Sequence, residues 1–222
     1  MPQLSSYAII ALALVNAIGV EARQQGTSPS AQAVADRLQK KYDTVRDFSA
    51  DFVHRYEGGT LKRTREERGA LLVKKPGKIR WTYKAPEEKV FVSNGVKLYQ
   101  YMPLDHHVTM SDAPGDEQPA MSLLAGKGNL NRDFTVSFSQ TPSAADVWTL
   151  RLEPRTAQAD YDWLEIAADR STLQLRTLVV AEKQGNRSTF TFSNFKENAG
   201  LADKLFEFAI PKGVEVTNAG KR

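Results

Sequence analysis

Metal chemistry needs ligands that converge, and the chain offers three histidines, His54, His106 and His107, and no cysteine. Neighbours on a strand point to opposite faces, so His106 and His107 do not easily hold one ion. Asp160, Asp162 and Glu165 bracket Trp163 and invite a Ca²⁺ or paired-carboxylate reading. Their spacing matches no calcium loop, and a solvated strand end is the simpler account. No G-x-S-x-G occurs, and Ser193-Asn-Phe-Lys196 fits S-x-x-K by spacing alone, without the companion motifs. The glycines of Ala125-Gly-Lys-Gly-Asn129 do not complete a phosphate loop. No catalytic constellation is assembled, so the sequence disfavours an enzyme and gives no reason to expect a metal or cofactor.

Apolar and aromatic surface is what the chain has in quantity. Trp81, Tyr83, Phe91, Tyr99, Tyr101, Phe138, Trp148, Trp163, Phe190 and Phe192 lie in stretches of alternating hydrophobicity, so many of them are expected to face inward. These stretches begin at Phe48, where Phe48, Ala50, Phe52 and Tyr56 alternate with polar residues. They continue through Ile79 to Tyr83, through a pair flanking the Asn94-Gly95 turn, and through His107–Met110, Phe134–Ser139, Val147–Leu152, Trp163–Ala167, Leu173–Ala181 and Arg187–Phe195. About eleven strands joined by short turns predict a mainly β fold, an antiparallel meander curled into a barrel or half-barrel.

Two segments have helical character. Ser28 and Pro29 suit a helix start, and Val34, Leu38, Tyr42 and Val45 then share one face. That stripe either packs on a core or covers a cavity. Pro119 to Ala125 reads as a short helix flanked by glycines, with Met121, Leu123 and Leu124 apolar. It is too short to stand alone, and either plugs the barrel end or acts as a movable lid. A barrel of this many strands encloses more space than wall side chains fill, so helices or a ligand must occupy it. An apolar, partly filled barrel is a lipid site in physical terms.

The chain has 222 residues, enough for one large domain, with 41% hydrophobic and 25% charged content. Its net charge is +4, from 30 basic and 26 acidic residues spread along the sequence, which argues against nucleic acid as a partner. The stretch Lys62-Arg63-Thr64-Arg65-Glu66-Glu67-Arg68 fits a solvated strand or hairpin rim, or else a contact surface for a membrane or acidic partner. Tyr7 to Val20 is uncharged, too short to span a bilayer but suited to a secretory signal, and Val20-Glu21-Ala22 offers a cleavage site. Residues 1–22 are therefore expected to be a signal peptide and 23–222 a single exported domain; no Lys or Arg precedes the apolar run, so an uncleaved anchor stays open. Without cysteine the exported chain has no disulfide, no thiol nucleophile and no lipidation site after the signal.

Phe48-Ser-Ala-Asp-Phe52, Gly69-Ala-Leu-Leu-Val-Lys-Lys-Pro-Gly-Lys-Ile-Arg-Trp-Thr-Tyr83, Pro86 and Val92-Ser-Asn-Gly-Val-Lys-Leu-Tyr-Gln-Tyr101 resemble the signature of the outer-membrane lipoprotein carrier proteins. The similarity continues weakly through Pro119-Ala-Met121 and Phe206-Glu-Phe-Ala-Ile-Pro-Lys-Gly-Val214. The resemblance implies an incomplete, half-open antiparallel β-barrel with helices capping its concave face. It further implies a periplasmic monomer that takes acylated lipoproteins from an inner-membrane lipoprotein-releasing ABC transporter and passes them to an outer-membrane receptor. Val34, Leu38, Phe52, Trp81, Tyr83, Tyr99, Met121, Leu123 and Leu124 are the residues expected to bind acyl chains, the last three on the lid. The family commonly has arginine directly before the proline of the Lys-x-Pro turn, where it latches the lid through backbone carbonyls. Here that position is Lys75, which donates to carbonyls without arginine's planar fork. A second reading is a periplasmic regulatory module that senses lipids or lipoproteins with the same half-barrel. Such a module is expected to carry a further domain.

Overall fold

The computed structural model describes residues 28–59, 63–113, 119–141 and 144–219, apart from the side chains of residues 119–121. The expected signal at 1–22 and Lys62 lie outside the described residues. The first helix, α1 (Ala31–Thr44), starts two residues later than its sequence signal suggests. Ser30, not Ser28, caps it, its hydroxyl accepting from the Ala33 N–H at 3.2 Å.

Twelve strands then form one sheet: β1 (Asp47–Glu57), β2 (Thr64–Lys74), β3 (Lys78–Ala85), β4 (Lys89–Asn94), β5 (Lys97–Met102), β6 (His107–Asp112), β7 (Phe134–Phe138), β8 (Val147–Pro154), β9 (Tyr161–Asp169), β10 (Leu175–Glu182), β11 (Arg187–Glu197) and β12 (Glu215–Asn218). Between β6 and β7 lie two short helices, α2 (Pro119–Leu124) and α3 (Leu130–Asp133). The order across the sheet is β12-β6-β5-β4-β3-β2-β1-β11-β10-β9-β8-β7. β1 is the seam: it pairs antiparallel with β2 on one side and with β11 on the other, joining two meanders. The outermost strands, β12 and β7, do not pair with each other, so the barrel is incomplete.

The expectation of an antiparallel meander fails at one edge, where β12 runs parallel to β6 with Glu215 opposite His107. After β11 the chain crosses the outer face of the sheet. Phe206 there is only 1% exposed, and the Arg80 guanidinium donates to the Leu205 and Glu207 carbonyls at 2.7 and 3.1 Å. That crossing delivers β12 to the end where β6 begins, so the two point the same way. The strand expected from Leu173 starts instead at Leu175. The Asp169 carboxylate accepts the Ser171 and Thr172 N–H groups at 2.8 Å each, and Leu173 turns with φ 59°.

Alternation sorts each strand into two faces. The inner face carries the main core: Phe48, Ala50, Phe52, Leu71, Val73, Ile79, Trp81, Leu164, Ile166 and Leu178 pack with Val34, Ala35 and Leu38 of α1. On the outer face Val92 and Val108 are fully buried as well, and Tyr99 and Tyr101 lie against Phe208. α1 is tied over the inner face by Gln39, whose amide oxygen accepts the Leu130 N–H of α3 at 2.9 Å.

Candidate functional site

The inner face is not filled. A cavity of about 540 Å³ opens where β3 and β4 face β9, β10 and β11, walled by Trp81, Tyr83, Phe91, Val180 and Phe190 and rimmed by Asp160, Glu182 and Asn186. A second, of about 250 Å³, lies between α2, α3 and the β8–β9 turn. A third, of about 70 Å³, lies under α2 among Leu38, Val45, Phe48, Leu123, Leu124 and Ile166. Tyr161 borders the first two and Leu123 the last two, so the three follow one another along the concave side.

Trp81, Tyr83, Phe52 and Phe190 form the aromatic centre. The Phe52 ring meets Trp81 and Tyr83 edge-on at 5.5 and 5.0 Å, and Trp81 meets Phe190 at 4.9 Å. Cross-strand register explains the grouping, because Phe52 sits opposite Gly69, and Gly69 opposite Tyr83. Without a side chain at Gly69, the Phe52 ring lies over bare backbone.

The opposite end is closed by α2. Leu124 is 2% exposed, and Leu123 packs against the same core. A Schellman motif ends the helix: Gly126 is left-handed (φ 75°), its N–H bonds the Leu123 carbonyl at 3.2 Å, and the Lys127 N–H bonds the Ser122 carbonyl at 3.0 Å. Gly126 also admits Lys75, because a Cβ there would stand 2.2 Å from the Lys75 Cδ. Two bonds hold the helix end down: the Tyr42 hydroxyl donates to the Leu124 carbonyl, and the Gly77 N–H donates to the Ala125 carbonyl at 3.0 Å.

Val34, Leu38, Phe52, Trp81, Tyr83, Leu123 and Leu124 thus share the inner side. Met121 sits on α2, its side chain outside the described residues. Two expectations need correction. Tyr99 is on the outer face, 5.5 Å from Phe208 and opposite outward-facing Val92, away from the cavities. Lys75 does not bond the α2 carbonyls: its ammonium donates to the Tyr42 carbonyl at the end of α1 and sits 3.8 Å from the Tyr42 ring centroid. Burial lowers its pKa, with the Asp43 carboxylate working against that. Tyr42, whose phenol pKa burial pushes up, thus bonds Lys75 through its carbonyl and α2 through its hydroxyl.

A buried charged cluster beside the large cavity was not legible in the residue types. Glu67, read as part of a solvated stretch, is 4% exposed. It accepts from Lys89 and lies 3.4 Å from His54 Nδ1, which is 3.3 Å from the Tyr83 hydroxyl. The signal was there in the period of two: Phe52 faces inward, so His54, its partner Glu67 and then Lys89, opposite Tyr83, belong to the same face. Burial lowers the His54 pKa from its ordinary 6.5, and the Lys89 charge adds to that, while Glu67 raises it. Folded His54 therefore stays neutral where the unfolded chain takes up a proton, so the stability this difference gives is complete above pH 6.5 and is lost as pH falls below it. Urea midpoints measured at about pH 7.5 and about pH 5.5 should converge more in a His54→Phe variant than in the parent. An identical acid loss in both proteins would rule His54 out as its source.

Among the described residues no group of three acidic or histidine side chains is arranged to hold a metal ion. Asp162 pairs with Lys183, and Glu165 accepts from the Ser139 hydroxyl.

Residues 43–209 match the model of the family described as outer membrane lipoprotein carrier protein LolA. The outer-membrane lipoprotein carrier protein of Cupriavidus pinatubonensis is 30% identical over 209 residues, 91% of this chain and 96% of that one. That of Chromohalobacter salexigens is 27% identical over 206 residues, 92% and 96% of the two chains. In fold, the chain is similar to an uncharacterized conserved protein from Thermus thermophilus, with a TM-score of 0.54, 13% identity, and 85% and 98% of the two chains covered. With three quarters of its length matched and relatives aligned nearly end to end, this chain belongs to the outer-membrane lipoprotein carrier family.

Proposed function

We propose that this protein is a periplasmic carrier that binds the acyl chains of lipoproteins on its concave face and shuttles them from an inner-membrane lipoprotein-releasing ABC transporter to an outer-membrane receptor. Residues 1–22 are its signal peptide and 23–222 its one domain. The acyl chains contact Val34, Leu38, Phe52, Trp81, Tyr83, Met121, Leu123 and Leu124. The observation that carries this reading is the way α2 is seated: Leu123 and Leu124 line an apolar pocket that larger cavities follow along the concave side, and two polar contacts at a single helix end hold them there.

Such an arrangement suits loading and unloading. Each buried methylene contributes about 0.8 kcal/mol, so several long chains entering an empty apolar hollow would be held almost irreversibly. When Leu123 and Leu124 must first leave, the cargo replaces contacts the protein already makes. Net affinity falls to a level compatible with release. α2 suits this exchange because six residues do not form a stable helix by themselves, and its stability lies in its docking.

Protein taken from the periplasm of a producing cell should carry acylated peptide detectable by mass spectrometry, and should give it up to outer-membrane acceptor protein in a transfer assay. Bound lipid without transfer would favour a sensing module, and chemically altered lipid an enzyme.

A further inference from the structure

Three side-chain nitrogens among the described residues are buried without a hydrogen-bond partner, and two of them flank Phe190: Nε1 of Trp81, which lines the large cavity, and Nε2 of His54, whose ring stacks on Phe190. Buried polar atoms are nearly always paired, and an unpaired one costs stability, so two in one place call for a reason. Phe190 supplies a common element. Its ring stacks on His54 at 4.2 Å, meets Trp81 at 4.9 Å, and itself lines the cavity. The other edge of the imidazole is taken, since Nδ1 faces the Tyr83 hydroxyl and Glu67, so Nε2 is directed away from the charged cluster. An alkyl chain needs neither nitrogen. The linkage that joins an acyl chain to its carrier molecule can use them, because every ester or amide presents a carbonyl acceptor to the indole N–H and an amide also presents an N–H donor.

We propose that Trp81, with His54 on the far side of Phe190, forms a polar subsite, covered by Phe190 until cargo enters, that receives an acyl linkage. The Trp81 indole N–H is donor only and takes the carbonyl oxygen. His54, with its Nδ1–H turned to Glu67, presents Nε2 as an acceptor, suited to the N–H of an amide linkage or to a bridging water, and the Glu67–Lys89 pair behind fixes the imidazole. The subsite would set how deep the chains enter: alkyl tails run along the concave side toward α2, and the linkage stops at the aromatic centre. This inference rests on the acyl-binding reading above and adds recognition of the linkage to it.

The test compares two synthetic lipopeptides with the same peptide and chain lengths, one S-diacylglyceryl with ester links and one S-dialkylglyceryl with ether links. The parent protein should bind the ester form about fivefold more tightly, the worth of one hydrogen bond of about 1 kcal/mol. Trp81→Phe should bring the ratio close to one, whatever it does to either affinity alone. In the parent, the Trp81 indole N–H resonance should move downfield with the ester ligand and not with the ether, a readout that needs no variant to fold. Equal binding of the two by the parent, or a ratio that survives Trp81→Phe, would overturn the subsite while leaving the carrier reading standing. Binding of neither would overturn both.

Discussion

Leu124→Arg is expected to lower the affinity for acylated peptide by about a hundredfold or more while the protein stays folded. Leu124 is buried against α1 and the ends of β9–β11, where the described side chains offer Tyr42, Val45, Phe48 and Ile166 as neighbours. A guanidinium there would be an unpaired charge in apolar surroundings, at a cost of several kcal/mol. The cheaper course for a six-residue helix is to leave its seat. The sheet loses little by that, because its hydrogen bonds run strand to strand and α2 supplies none of them. The cargo loses more, since the wall that should close over its chains now carries a charge. A hundredfold loss corresponds to about 2.7 kcal/mol, or three to four methylenes left in water. Titration with a triacylated peptide beside far-ultraviolet dichroism of the variant measures both halves. A folded variant with the parent's affinity would mean that α2 takes no part in binding.

Most strands, the first helix and the short helix between the two meanders were legible because their signals are local: a period of two, a period near four, and glycine or asparagine at turns. What the period cannot tell is which of two faces is concave when both are covered. Leu98 and Val92 are each fully buried, on opposite faces, because the segment around Phe206 blankets the outside of β3 and β4. The alternation around Tyr99 is therefore real, yet it points the ring to the outer face and not to the cavity. Trp163 shows the same ambiguity, standing between the guanidinium groups of Arg151 and Arg187. The parallel pairing of β12 was illegible for another reason, since it depends on the path of a long connection and not on any feature of Glu215–Asn218.

The candidate site divides along the same line. Its apolar members, such as Phe52, Trp81 and Leu124, announce themselves by type and spacing. Its polar members do not. Glu67 lies in a run of mixed charge that reads as solvent-exposed, and only the register from Phe52 through Gly69 shows that it points inward. Lys75 could be located from its turn, but its partner could not: whether it reaches the carbonyls of α2 or that of Tyr42 is decided by the approach of Gly126, a contact between residues 51 positions apart.

Gly69→Val is expected to be the most damaging single substitution to the fold near the site, destabilising it by about 3 kcal/mol or more, beyond the usual range for an overpacked core. The position is backed by backbone: an added Cβ would lie 2.0 Å from the Thr82 carbonyl oxygen on β3 and 2.7 Å from the Phe52 ring. A ring can rotate aside, but the carbonyl belongs to the β2–β3 ladder and moves only if the strands separate. Against a total stability of roughly 5–15 kcal/mol, such a loss should appear as a large fall in the urea midpoint. A second substitution tells the two contacts apart. Phe52→Leu in the Gly69→Val background removes the ring yet leaves the shorter contact, so it should restore little stability; full recovery would place the strain on the ring alone. The same glycine is what lets the Phe52 ring stand edge-on to Trp81 and Tyr83. The close strand approach that makes Gly69 intolerant of a side chain therefore also builds the aromatic wall of the cavity.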